Sequence, residues 1–121
     1  MICHVNPMSR SSRAALGLPL QSRRAIKRLG RDIATARRRR RIPQRLMAER
    51  MLVSLQTIQR LEAGDPTIGL AVLAAALFVL GMTPRLEALV APEGDMVGTA
   101  EEVARLPRNI RSPRADADLD F

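Results

Sequence analysis

At 121 residues the chain has the length of one small domain with tails. Hydrophobic residues make up 46% of it, enough for a core, but aromatics only 2%, with no Trp or Tyr; a core of Leu, Ile, Val, Ala and Met suits a helical bundle and argues against a β-sandwich. The formal charge of +8 is polarised, with thirteen Arg or Lys against one acid (Asp32) in residues 1–45 and five basic against ten acidic residues in 61–121. A basic half of this kind attracts a polyanion, nucleic acid first, with an anionic membrane surface or a merely solvated face as the alternatives. The single cysteine, Cys3, allows no intramolecular disulfide, and the opening MICHVNPMSRSSR has no apolar run like that of a signal peptide, so a cytoplasmic protein is expected.

Residues 1–21 mix Ser, Arg, Pro and Gly without period and are expected to form a disordered arm. Ser22 suits an N-cap, and Ile26, Leu29, Ile33 and Ala36 follow at helical spacing, which predicts a first helix over 22–40. It ends where Ile42 precedes Pro43, because the residue before proline is pushed out of the α region. A second helix is predicted over 44–51 with Met47, Ala48 and Met51 inward. Ser54 caps a third over 55–63, which Gly64 stops. Thr67 is expected to cap a fourth over 68–80, closed by Gly81, and Thr83 with Pro84 at the first helical position to start a fifth that ends before Pro92.

The fourth predicted helix is apolar round most of its girth. Leu70, Leu73, Leu77 and Leu80 form one face, and Ile68, Val72, Ala75 and Val79 a second, which is expected to be a homodimer surface; deeper burial in one core is the alternative. Its apolar run is too short to span a membrane. Residues 96–111 are expected to form a short strand or helix, followed by a disordered tail. The domain organisation expected is therefore an arm (1–21), a folded domain (22–92) and a C-terminal extension (93–121).

The stretch QRLMAERMLVSLQTIQRLE, residues 44–62, keeps helical spacing on both sides of a break at Met51-Leu52-Val53-Ser54. Two helices crossing around a tight turn need apolar residues in the angle, here Met47, Met51, Val53, Ile58 and Leu61. They also need a small residue at closest approach, for which Ala48 is suited, and a cap for the second helix, Ser54. With Gln44, Ala48-Glu49, Val53-Ser54, Thr57-Ile58, Arg60-Leu61-Glu62 and Gly64 in place, residues 26–82 resemble the helix-turn-helix domain of the Cro and phage-repressor (XRE) family. That resemblance implies an all-α, five-helix lambda-repressor-like fold whose third helix enters the DNA major groove. TIQRLEAGDPTIGLAVLAAALFVLG with the later RLPRNIR is also similar to HipB-type antitoxins, autorepressors that bind a HipA-like serine/threonine kinase toxin. The partners implied are double-stranded DNA with a near-palindromic operator, a second copy of the chain, and such a kinase held by the fifth helix and the segment around Leu106, Arg108 and Ile110. Two residues depart from the family pattern: Leu52 stands where glycine is usual and φ often positive, and Pro43 where a capping Thr or Ser is common.

With Val53, Ile58 and Leu61 inward, the third helix is expected to turn Leu55, Gln56, Gln59 and Arg60 outward. Glutamine can pair with adenine N6 and N7, arginine with guanine O6 and N7, and leucine can touch a thymine methyl. Gln44 at a helix N-terminus suits a phosphate, with Arg45, Ser54 and Thr57 as further backbone contacts; Arg38, Arg40 and Arg41 can contact phosphate, help close the helix C-terminus or stay solvated. By resemblance Arg37 pairs with Glu62 and is not a DNA contact. No catalytic or metal-ligand grouping appears, so neither enzymatic activity nor a cofactor is expected. The competing classes are a stand-alone or phage-type repressor, a basic protein that binds nucleic acid nonspecifically, and an adaptor with a degenerate DNA face.

Overall fold

The computed structural model describes residues 10–107, and these fold into α-helices without a strand among them. The helices are α1 (Arg10–Leu16), α2 (Leu20–Arg39), α3 (Gln44–Met51), α4 (Leu55–Ala63), α5 (Leu70–Leu80), α6 (Thr83–Glu87) and α7 (Met96–Arg105), with a 3-10 turn at Pro92–Gly94. The chain divides between Leu86 and Glu87 into two compact units. No described helix is long and apolar enough to cross a membrane.

The expected disordered arm is corrected over residues 10–21, where α1 forms and Ala15 is buried; residues 1–9 lie outside the described residues. Pro19, not Ser22, stands at the N-cap of α2, its carbonyl accepting the Arg23 N–H. Arg23 ties the two helices together by donating to the carbonyls of Ala15, Leu16 and Leu18. A reading by apolar period alone passes over this junction, because its cohesion comes from backbone carbonyls and one guanidinium.

Four helices end in the same way. A residue at the C-cap, or just after it in α2, turns left-handed, and its own N–H and that of the next residue reach back to free carbonyls. Ile42 donates to Arg37 O across Arg41 (φ 55), Val53 to Ala48 O across Leu52 (φ 60), Asp65 to Arg60 O across Gly64 (φ 80), and Met82 to Leu77 O across Gly81 (φ 76). Glycine takes this conformation without strain, whereas arginine and leucine do so at about 1–2 kcal/mol each. Leu52 thus adopts the glycine-like turn without reshaping it, and its side chain, 91% exposed, packs on nothing.

The core of the first unit joins Ile33 and Ala36 of α2, Ile42, Met47, Ala48 and Met51 around α3, Ile58 and Leu61 of α4, and Ala76 and Leu80 of α5. Met47 and Ile58 are completely buried. α2 crosses α4, while α3 packs on both α4 and α5. At the α2–α4 crossing Gly30 is indispensable: a Cβ there would sit 2.6 Å from Glu62 O and 2.7 Å from Leu61 O. Gly64 closes the same crossing, its missing Cβ only 2.6 Å from Lys27 Cα. Ala48 is the small residue expected between α3 and α4; at the α2–α4 crossing two glycines permit close approach, backbone against backbone.

Helix α5 starts at Leu70 behind Gly69, not at Ile68 behind Thr67, because Thr67 is engaged with Asp65. The expected dimer face is partly engaged within the protomer. Ile68, Val72, Ala75 and Val79 are half-buried and pack against their own core, since α2 and α3 both cover α5. The free side of α5 carries Leu70 and Phe78, 70% and 75% exposed. Helix α6 ends at Glu87, before Pro92.

In the second unit the segment of residues 96–111 resolves as helix up to Arg105, and residues 108–111 lie outside the described residues. Asp95 caps α7, its carboxylate accepting the Gly98 N–H at 2.9 Å. Met96, Val97 and Val103 of this helix are exposed.

These features predict stability changes of opposite sign, measurable by chemical denaturation. Gly30→Ala forces backbone apart and is expected to cost about 1–3 kcal/mol. Leu52→Gly removes strain without removing a contact and is expected to gain about 1 kcal/mol.

Candidate nucleic-acid interface

Helix α4 is held on one side and free on the other. Ser54 caps it, the Ser54 hydroxyl accepting the Thr57 N–H at 3.1 Å and sharing a 3.0 Å hydrogen bond with the Thr57 hydroxyl. Ile58 and Leu61 lie in the core, so the turn of the helix brings Gln56, Gln59, Arg60 and Ala63 to the outside, all exposed. Leu55, expected on this stripe, is half-buried at its margin, and Ala63, which sequence reading omitted, belongs to it. The spacing 56, 59, 60, 63 would have identified Ala63.

The rotation of α4 is fixed by a buried ion pair. Arg37 Nε donates to Glu62 Oε2 at 2.6 Å and Nη2 to Oε1 at 3.1 Å, with both side chains less than a tenth exposed. The third nitrogen, Nη1, donates to Ile42 O at 2.8 Å. Gln44 Nε2 completes the group by donating to Glu62 Oε1 at 2.9 Å. The Gln44 amide is thus committed to Glu62, while the expected phosphate contact at Gln44 rests on the backbone N–H groups at the start of α3.

The run Arg37 to Arg41 separates by direction. Arg37 goes inward; Arg39 and Arg40 line an open hollow of about 440 Å³ with Asp32, Thr35 and Arg85. That hollow lies on the side of α2 turned away from Gly30 and Arg37, which face α4. Arg40 Nη1 also donates to Ala36 O at 2.8 Å, closing the end of α2. Arg38, Arg41 and Arg45 are exposed. Ser54 and Thr57, expected to touch phosphate, remain at the surface end of α4 with their hydroxyls bonded to each other.

Arg60 is not a free side chain. Its Nε donates to Asp65 Oδ2 at 2.8 Å and its Nη2 to the Thr67 hydroxyl at 2.7 Å. Thr67 in turn donates to Asp65 Oδ1 through both its hydroxyl (2.7 Å) and its N–H (2.8 Å). Neither Asp65 nor Thr67 figured in the sequence reading of the site, because their roles depend on the path of the loop after Gly64. Together these bonds lower the Asp65 carboxyl from the ordinary 3.8 to about 2: the Thr67 hydroxyl contributes most, burial opposes it as the next largest effect, and the Thr67 N–H and Arg60 add to the lowering. Among the described residues no group of three or more His, Cys, Asp or Glu gathers as for a metal ion.

Because the folded carboxyl sits below its unfolded value, Asp65 stabilises the fold at pH above about 4, and that contribution fades as pH falls toward 2. With Asp65 at 27% side-chain exposure, solvent screening leaves roughly 1 kcal/mol. Asp65→Asn is expected to be less stable than the parent near neutrality by that amount, and denaturation curves should show the difference closing in acid.

Comparison with family models, curated proteins and solved structures finds no match to this chain.

Proposed function

We propose that the protein is a sequence-specific repressor that binds double-stranded DNA, with α2 to α6 forming a five-helix domain of the lambda-repressor-like kind. The observation that carries this reading is the polar outward stripe of α4, Gln56, Gln59 and Arg60, opposite an inner side locked by Ile58 and Leu61. A helix of this width fits the major groove, where glutamine and arginine meet adenine and guanine edges in bidentate pairs. Leu55 at the margin can reach a thymine methyl. Arg38, Arg41 and Arg45, with the start of α3 and the Ser54–Thr57 end of α4, supply phosphate contacts that orient the domain without reading sequence.

A near-palindromic operator calls for two recognition helices about 34 Å apart, hence a homodimer. The free side of α5, centred on Phe78, is the surface that a second copy would cover, with the half-buried Ala75 and Val79 at its edge. The resemblance to HipB-type antitoxins extends the reading to an autorepressor that holds a HipA-like serine/threonine kinase toxin. The exposed Leu106 is available for such a contact, whereas Arg108 and Ile110 lie outside the described residues. Such a protein acts by binding and performs no catalysis, and it would work in the cytoplasm where its DNA is.

Fluorescence anisotropy on the duplex upstream of its own coding sequence, against a scrambled duplex at two salt concentrations, tests the proposal. Binding tighter to the native duplex by about 10³-fold or more, weakening as salt rises, is expected. Gln56→Ala should narrow that ratio, and Phe78→Glu should give a monomer by analytical ultracentrifugation with weaker binding. Equal affinity for the two duplexes would refute sequence-specific repression.

A further inference from the structure

The Arg60–Asp65–Thr67 cluster bears on how a base would be read, an inference that rests on the DNA-binding reading above. A guanidinium has two edges that can present a pair of parallel N–H donors. One is formed by Nε and Nη2, the other by Nη1 and Nη2. In this protein the first edge is occupied, by Asp65 Oδ2 at 2.8 Å and the Thr67 hydroxyl at 2.7 Å. Nη1 and the outer hydrogen of Nη2 remain uncommitted among the described residues. Arg60 shares the outward stripe of α4 with Gln56 and Gln59.

We propose that Asp65 and Thr67 are specificity-determining positioning residues, which hold Arg60 so that its Nη1–Nη2 edge pairs with O6 and N7 of one guanine. Three physical points support this assignment. A long arginine side chain ordinarily loses rotamer freedom when it docks, and a side chain already fixed by two hydrogen bonds has lost most of it before DNA arrives. The carboxylate behind the guanidinium offsets its charge, which weakens it as a phosphate ligand but leaves the direction of its donors intact. Asp65 is itself fixed, since Thr67 donates to it twice and keeps it ionised at any physiological pH. An Arg60 acting on phosphate would need none of this alignment, because phosphate contacts position without reading sequence.

The experiment selects preferred duplexes from a randomised pool with the full chain and measures base preference at each position, for the parent and for Arg60→Ala, Asp65→Asn, Thr67→Val and Thr67→Ser. Thermal unfolding confirms that each variant folds, and the threonine pair keeps the test valid if Asp65→Asn does not. The parent is expected to specify one G·C pair that Arg60→Ala, Asp65→Asn and Thr67→Val all relax at the same position, by roughly 5- to 100-fold. Thr67→Ser should retain it, the Arg60→Ala/Asp65→Asn double variant should lose no more than Arg60→Ala alone, and the salt dependence should stay that of the parent. Retention of the guanine preference in Asp65→Asn and Thr67→Val, or a reduced salt slope in Arg60→Ala with base preference unchanged, overturns the positioning role while leaving a DNA-binding protein. Absence of any base preference in the parent overturns both.

Discussion

The ion pair between Arg37 and Glu62 is the constraint on which the arrangement of the first unit depends. Two charges that are both more than nine-tenths buried carry a large desolvation cost, offset here by two guanidinium–carboxylate bonds, a bond from Arg37 to Ile42 O and a bond from Gln44 to Glu62. The bonds join the last turn of α2, the bend before α3, the first residue of α3 and the far end of α4. Loss of either charged partner would leave the other buried and unpaired, a defect of about 3–5 kcal/mol in such pairs. A lysine could not replace the arginine, because three nitrogens in one plane serve two different acceptor groups.

Fixing Glu62 fixes the rotation of α4 about its axis. Glu62 and Leu61 also supply the carbonyls that meet α2 at Gly30, so the ion pair and the glycine crossing act on the same point of the helix. Both contacts lie on one side, and their consequence appears on the other, where Gln56, Gln59, Arg60 and Ala63 are left facing solvent. Short helices can sustain this because each is terminated locally. The left-handed residues Arg41, Leu52, Gly64 and Gly81 turn the chain sharply enough for α3, α4 and α5 to share one small core. Two of these positions carry side chains that strain the turn, so the packing they permit outweighs the strain.

The arginines of this basic chain divide into four kinds of work. Arg37 holds the core, Arg23 and Arg40 close helix ends on carbonyls, and Arg60 is braced by Asp65 and Thr67. Exposed residues such as Arg38, Arg41 and Arg45 generate the positive surface that would draw a polyanion from a distance. The total of 20 Lys and Arg therefore overstates the number of side chains free to contact a phosphate, and counting basic residues alone would assign Arg37 the wrong task.

Sequence alone determined the all-helical class, the break between α3 and α4, the Ser54 cap, the Gly64 and Gly81 stops, and the inward set of Met47, Met51, Ile58 and Leu61. These follow from local rules: apolar residues repeat with the helical period, a hydroxyl caps exposed N–H groups, and glycine accepts a positive φ. Resemblance supplied the pairing of Arg37 with Glu62, which no local rule gives. Tertiary structure decided the rest. The helix over Arg10–Leu16 is tied down by Arg23 through carbonyls that carry no sequence signature. The half-buried Ile68, Val72, Ala75 and Val79 could not be assigned to core or surface from an evenly apolar helix, because the answer depends on how many neighbours cover it. Gln44 turned to Glu62, and Arg60 to Asp65 and Thr67, because side chains distant in sequence compete for the same polar groups once the chain is folded. Period and capping are properties of neighbouring residues, whereas a hydrogen-bond partner and the covered side of a helix are properties of the whole fold.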